Sequence, residues 1–172
     1  HMIIGNDGGI NITYDYGQHW VKCNSPAVGQ FYSVTVDDAK PYNVYGGLQD
    51  NGVWVGPSTN TNNTEWLGEG QYPYTRLYGG DGMQVQVDTR DNSTVYCGYQ
   101  FGYYGRVNAG SGDYADLHPV NDLGTPNYRF NWQSPIWLSK HNQDVFYFGS
   151  DCFHRSLNQG NTYDFVSADL TN

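Results

Sequence analysis

Basic residues are scarce in this chain: eight Lys and Arg stand against 17 Asp and Glu, for a formal net charge of −9. Neutralising a phosphate backbone needs clustered cations, and no basic stripe occurs, so nucleic acid is excluded as a partner. Charge of either sign is low, at 15%, and nothing recurs at helical period, which argues against solvated helices. No apolar run reaches the length of a membrane span, so no membrane insertion is expected. Cys23, Cys97 and Cys152 are an odd number without metal-type spacing. They fit buried thiols in or beside strands better than a disulfide framework or a zinc site. His19, His118, His141 and His154 have no carboxylate or thiol partner at a recognisable spacing, which leaves no metal site and no catalytic triad. The stretch Gly79-Gly80-Asp81-Gly82 opens a strand rather than a helix and lacks the Lys that would reach a phosphate, so no nucleotide and no other cofactor is expected.

What is abundant is Gly (22) and Tyr (16), a composition suited to many turns and amphipathic strands. A segment recurs three times, at 36–47, 87–98 and 138–149, and closes each time on Gly47, Gly98 or Gly149 (98 − 47 and 149 − 98 are both 51). Self-similarity at about this period marks units that cannot bury their own apolar face and must stack on neighbours. Each copy reads as an apolar run, a polar turn, a second run ending in Gly, then two further runs, which is a four-stranded antiparallel meander.

Inner runs such as Val145-Phe146-Tyr147-Phe148 are apolar on both faces, as expected of sheets covered on both sides. The predicted fold is all-β: a β-propeller arc of about four four-stranded antiparallel blades, stacked radially. A β-sandwich also suits short strands but predicts no fixed period of this length. The expected divisions are a tag remnant at 1–2, a partial first blade at 3–23, and blades at 30–70, 80–121 and 132–168. The outer strand of the second blade is expected at 64–67. The first copy opens inside a second strand, so the chain is expected to be a piece of a longer propeller.

Two octapeptides sit between third and fourth runs: Thr13-Tyr14-Asp15-Tyr16-Gly17-Gln18-His19-Trp20 and Ser156-Leu157-Asn158-Gln159-Gly160-Asn161-Thr162-Tyr163. In each, the Asp or Asn should accept backbone N–H bonds, Gly should turn left-handed and the aromatic should cover the turn. The structural set is therefore Thr13, Asp15, Gly17 and Trp20, with Ser156, Asn158, Gly160 and Tyr163. These octapeptides resemble the Asp box, or bacterial neuraminidase repeat, of sialidases, glycoside hydrolase family 74 xyloglucanases and sortilin-type propellers. The wider context, including Tyr45-Gly46-Gly47-Leu48-Gln49-Asp50-Asn51-Gly52 and Arg129-Phe130-Asn131-Trp132-Gln133-Ser134-Pro135, is similar to large bacterial proteins of the sortilin-like group. The resemblance implies a secreted, cell-surface or periplasmic setting.

In a meander the turns after second strands share one end of the unit with the connections between units. That end collects Asp7, Asp50, Asp81 and Asp151 with Phe31, Tyr32, Tyr99, Phe101, Arg129 and Trp132, and Asp50, Asp81, Asp151, Phe31, Tyr32, Phe101, Arg129 and Trp132 are its candidate binding residues for a glycan, peptide or protein. Carboxylates flanked by flat rings also suit glycoside hydrolysis. Asp7, eight residues before Asp15, is the candidate catalytic carboxylate, its spacing resembling the xyloglucanase pattern. A non-catalytic binding scaffold is the preferred reading, with a β-glucan hydrolase fragment as the alternative. Tyr- and Val-rich faces at the ends of an arc also predict self-association, as a homodimer closing the propeller.

Overall fold

The computed structural model describes residues 1–6, 9–23, 29–61 and 73–171. All of its regular structure is antiparallel sheet, and no helix occurs among the described residues. The first sheet has three strands, β1 (Met2–Asn6), β2 (Gly9–Thr13) and β3 (Val21–Cys23). The second holds β4 (Phe31–Val36), β5 (Asn43–Leu48), β6 (Gly52–Pro57) and β7 (Thr75–Tyr78). The third holds β8 (Gln86–Val87), β9 (Thr94–Tyr99), β10 (Tyr103–Asn108) and β11 (Tyr114–Asp116). The fourth holds β12 (Ile136–Leu138), β13 (Phe146–Gly149), β14 (Phe153–Ser156) and β15 (Asp164–Phe165). Every sheet is a meander in chain order. In the second sheet the outer position belongs to β7, which pairs Tyr78 with Val53 and Arg76 with Trp54. The expected outer strand at 64–67 lies outside the described residues, and the unit reaches past residue 70.

The period of the sequence is the period of the packing. Tyr45 and Val53 of the second sheet meet Val85, Val87, Val95, Cys97 and Val107 of the third. From the third sheet's other side, Met83, Tyr96, Tyr104 and Leu117 meet Ile136, Leu138, Phe146 and Phe148 of the fourth. Along β9, alternate side chains therefore enter different cores, which is why this strand is apolar at consecutive positions. Phe146 and Phe148 are wholly buried, and each stabilises the fourth sheet's seat by about 2–3 kcal/mol through area removed from water.

Polar ties repeat at nearly the same offset. The Ile136 N–H donates to Gln84 Oε1 at 3.1 Å, Thr89 N–H to Gln143 Oε1 at 2.7 Å, and Ser33 Oγ to the Met83 carbonyl at 3.1 Å. Arg90 bridges its own turn and the next sheet, 2.6 Å from Asp88 and 2.9 Å from Asp144. The recurring glycine has a steric cause: a Cβ on Gly47 would overlap the Met83 carbonyl and Gly82, because the segment entering the third sheet crosses directly over it.

In the second, third and fourth sheets the turn after the first strand is capped by the residue that follows the repeat's opening position. Asp37 accepts the N–H groups of Ala39 (3.2 Å) and Asn43 (2.8 Å), Asp88 that of Arg90 (2.9 Å), and Ser139 those of His141 and Asn142 (3.3 Å each). Burial pushes the Asp37 carboxyl up, but the Asn43 and Tyr45 hydrogen bonds outweigh it and leave its pKa below the usual value.

Candidate functional site

Both octapeptides form the same clip. Thr13 Oγ1 accepts the Gly17 N–H at 2.9 Å and Asp15 Oδ1 that of His19 at 2.9 Å. Ser156 Oγ accepts the Gly160 N–H at 2.8 Å and Asn158 Oδ1 that of Thr162 at 2.9 Å. The two residues at the bend are left-handed in each: Tyr16 (φ 61°) with Gly17 (φ 92°), and Gln159 (φ 60°) with Gly160 (φ 85°). The third sheet turns on other residues, with Asn108 Oδ1 accepting Gly110 and Ser111 N–H groups at 2.9 Å each.

At the opposite end of the meanders, the turns at 49–51, 100–102 and 150–152 are laced to the connections between sheets. Gly82 N–H donates to the Leu48 carbonyl (2.9 Å), Phe101 N–H to that of Trp132 (3.2 Å) and Asp151 N–H to that of Arg129 (2.8 Å). Two of the candidate carboxylates serve this lacing. Asp81 is buried, and its Oδ1 accepts the Asp50 N–H at 2.8 Å while its own N–H donates to Gln100 at 3.2 Å. Asp151, also buried, accepts from the Arg129 N–H at 3.2 Å and Ser150 Oγ at 3.0 Å, and lies 3.3 Å from the Arg129 guanidinium. The same guanidinium reaches Asp169 at 2.7 Å, whose hydrogen bond and charge raise the Arg129 pKa, and Thr171 at 2.6 Å. Hydrogen bonds from Thr171, then from Arg129, hold the Asp169 carboxyl at about 2. Asp50 takes a left-handed turn conformation (φ 60°) on the exposed surface. Asp7 lies outside the described residues.

The aromatic candidates separate. Phe31 covers Gly46 on the second sheet's outer face, and Tyr32 packs on the core shared by the third and fourth sheets. Phe101 and Trp132 meet edge to face at 5.3 Å, and both are exposed. Phe101 forms one wall of a cleft of ≈ 430 Å³ between the β9–β10 hairpin and the connection at 117–135. The hairpin supplies Phe101 and Tyr103. One stretch of the connection supplies His118, Pro119, Val120 and Asn121, and another supplies Asn127, Tyr128 and Phe130. No Asp, Glu, Lys or Arg is among the described residues that line it.

The cleft wall is fixed in place by its neighbours. Tyr114, Tyr78, Tyr99, Tyr103 and His118 form a continuous run of stacked rings with centroids 4.8–5.8 Å apart, and Phe130 follows tilted at 4.4 Å from His118. His118 Nδ1 lies 2.9 Å from the Gly102 carbonyl, and Leu117, one residue earlier, accepts the Tyr163 hydroxyl at 2.8 Å. Asn121 Nδ2 closes its own loop on the Thr125 carbonyl at 2.9 Å. By contrast, the Asn127 amide and the Tyr103 and Tyr128 hydroxyls make no hydrogen bond to any described residue, so they face solvent or a ligand. Behind Tyr128 stands His154, buried and 2.8 Å from Ser150 Oγ, with its pKa lowered by burial.

Of the residues singled out in the sequence, Phe101 enters the cleft, Trp132 buttresses Phe101, and Arg129, between Tyr128 and Phe130, anchors that part of the connection to Asp151 and Asp169. Tyr103, Asn127, Tyr128 and Phe130 were not among the candidates, and His118 was weighed only as a metal or triad residue and set aside. Their signal was present as the connection itself: 117–135 is far longer than the 79–85 connection one unit earlier, and long structureless connections in compact folds tend to be functional. No protein-family model matches the chain, and no curated protein matches it.

Proposed function

We propose that the chain is an arc of an Asp-box β-propeller, similar to the sortilin-like group, that works as a non-catalytic binding scaffold in an extracellular or periplasmic setting. The radial arrangement is supported by the polar ties that recur at nearly one period and by a third sheet that enters two cores. The observation that carries the binding role is the aromatic cleft at the turn-and-connection end, walled by Phe101, Tyr103 and Phe130, whose rings are ordered by stacking on His118 and its neighbours. Preorganised concave apolar surface with a few convergent polar groups is what small-ligand and peptide sites require.

The carboxylates weigh against catalysis by the described residues, since Asp81 and Asp151 are spent on backbone N–H groups and a guanidinium. Mapping backbone amide shifts against pooled glycan and peptide libraries tests the reading. Perturbations should centre on 101–103 and 118–130. Perturbations confined to the octapeptide turns would overturn it, and release of reducing sugar that disappears in Asp7→Asn would replace it with the hydrolase alternative.

Self-association belongs to the same reading. Val34 and Val36 on the second sheet and Trp137 and Phe153 on the fourth are exposed apolar residues on strands, and a second copy would cover them. Light scattering coupled to size exclusion should give twice the 19.4 kDa of one chain; a strict monomer at high concentration would refute it.

A further inference from the structure

The cleft's chemistry narrows the ligand. Its described lining carries no Asp, Glu, Lys or Arg, so it offers an anionic or cationic ligand no charge-assisted hydrogen bond from those residues. The overall charge of −9 disfavours anions further. What the lining does offer is flat carbon surface from Phe101, Tyr103, Tyr128 and Phe130 beside three uncommitted polar groups, the Tyr103 and Tyr128 hydroxyls and the Asn127 amide. Each of these groups can both donate and accept. A peptide backbone segregates those roles between N–H and carbonyl, whereas a sugar hydroxyl combines them on one atom. Pyranose rings in turn present flat C–H faces of the size of an aromatic ring. The cleft is open to solvent, with Val120 82% and Phe101 47% exposed, so its rings are accessible to a ligand larger than one sugar ring.

We infer that this cleft binds an uncharged oligosaccharide without cleaving it, with Phe101 as the stacking platform and Asn127 and the two phenols as hydroxyl partners; the inference rests on the binding role proposed for the cleft. Preorganisation supports it, because the rings are already ordered by the stack through Tyr99 and His118 and little side-chain freedom remains to be lost.

The test is calorimetric titration of the chain with four probes: neutral β-linked glucan and xylan hexamers, an oligogalacturonate of similar length, and a polyproline peptide. Variants are Phe101→Ala, Asn127→Ala and, at the far end of the molecule, Tyr16→Ala. Binding of a neutral hexamer that weakens about tenfold in Phe101→Ala and about threefold in Asn127→Ala, and is unchanged in Tyr16→Ala, is the expected result. Asn127 is exposed, so its variant remains informative if Phe101→Ala folds poorly. Neutral-glycan binding indifferent to both cleft variants would overturn the inference. Polyproline binding at the cleft with no glycan binding would overturn it while leaving the cleft's binding role intact. Tighter binding of the oligogalacturonate would overturn the argument from charge, and no binding by any probe would count against both the inference and the binding role.

Discussion

The octapeptides at 13–20 and 156–163 have the same hydrogen bonds and the same left-handed pair, yet they sit in different surroundings. In the first, Tyr16 is 90% exposed and Trp20 41% exposed. In the second, Gly160 is buried beneath Leu117, where any Cβ would overlap that side chain. Gln159 accepts from Arg106 of the third sheet at 2.6 Å, and the Tyr163 hydroxyl donates to the Leu117 carbonyl. The clip is thus a local device that closes a hairpin wherever its residues occur. What the fourth sheet adds is a bolt: its clip fastens two sheets together and holds the residue from which the cleft's connection departs.

The sharpest way to break this pairing is to remove the aromatic from each. Tyr163→Ala empties a packing position against the core of the third and fourth sheets and frees Leu117, and should cost about 3 kcal/mol. Trp20→Ala, on an exposed ring, should cost about 1 kcal/mol or less. Urea midpoints of the two variants compare them directly, and equal losses would show that the clip contributes locally and not as a bolt. Tyr163→Phe isolates the hydroxyl, at about 1 kcal/mol.

A smaller difference separates the two regions by pH. His154 is buried beside Tyr128, Tyr163 and Phe165, with Asp151 the charged group acting on it, and burial lowers its pKa from the ordinary 6.5. The unfolded chain therefore takes up this proton first. The stabilisation is complete above pH 6.5 and is lost as pH falls through and below that value. Denaturant midpoints measured from pH 7.5 to 5 should decline, and His154→Gln should flatten the decline. An unchanged slope in the variant would assign the effect to another group.

How much of this was legible beforehand depends on the range of the interaction. The period of Gly47, Gly98 and Gly149 and the form of the octapeptides are local patterns, and meanders and clips follow from them because strand pairing within a hairpin is a near-neighbour event. The roles of Asp81 and Asp151 were not legible, since an Asp in a turn or connection reads as a backbone cap or as part of a binding face until its partner N–H is known. The cleft was least legible. His118 and Phe130 stack only because a long connection folds back on the β9–β10 hairpin, and no periodicity encodes such a return. In the second sheet β7 pairs with the edge of β6 from residue 75 onward, and a strand this short carries too little pattern to be placed from sequence.

The finest distinction between the two clips lies in the acid–base character of the residue that accepts the closing N–H. Position three is an acid in the first, Asp15, and an amide in the second, Asn158. The His19 N–H, then the His19 ring and the Thr13 hydroxyl, stabilise the Asp15 carboxylate and hold its pKa at about 2 rather than 3.8. A depressed carboxylate pKa stabilises the fold above the unfolded value and loses that contribution as pH falls from about 3.8 to about 2. Asn158 has no such proton to take up. Acidification through that window should therefore raise hydrogen exchange at the amides of Gly17 and His19 while leaving those of Gly160 and Thr162 comparatively protected, and Asp15→Asn should make the first clip as indifferent to pH as the second. Parallel loss of protection in both clips would mean that the fold opens as a whole before the first clip titrates.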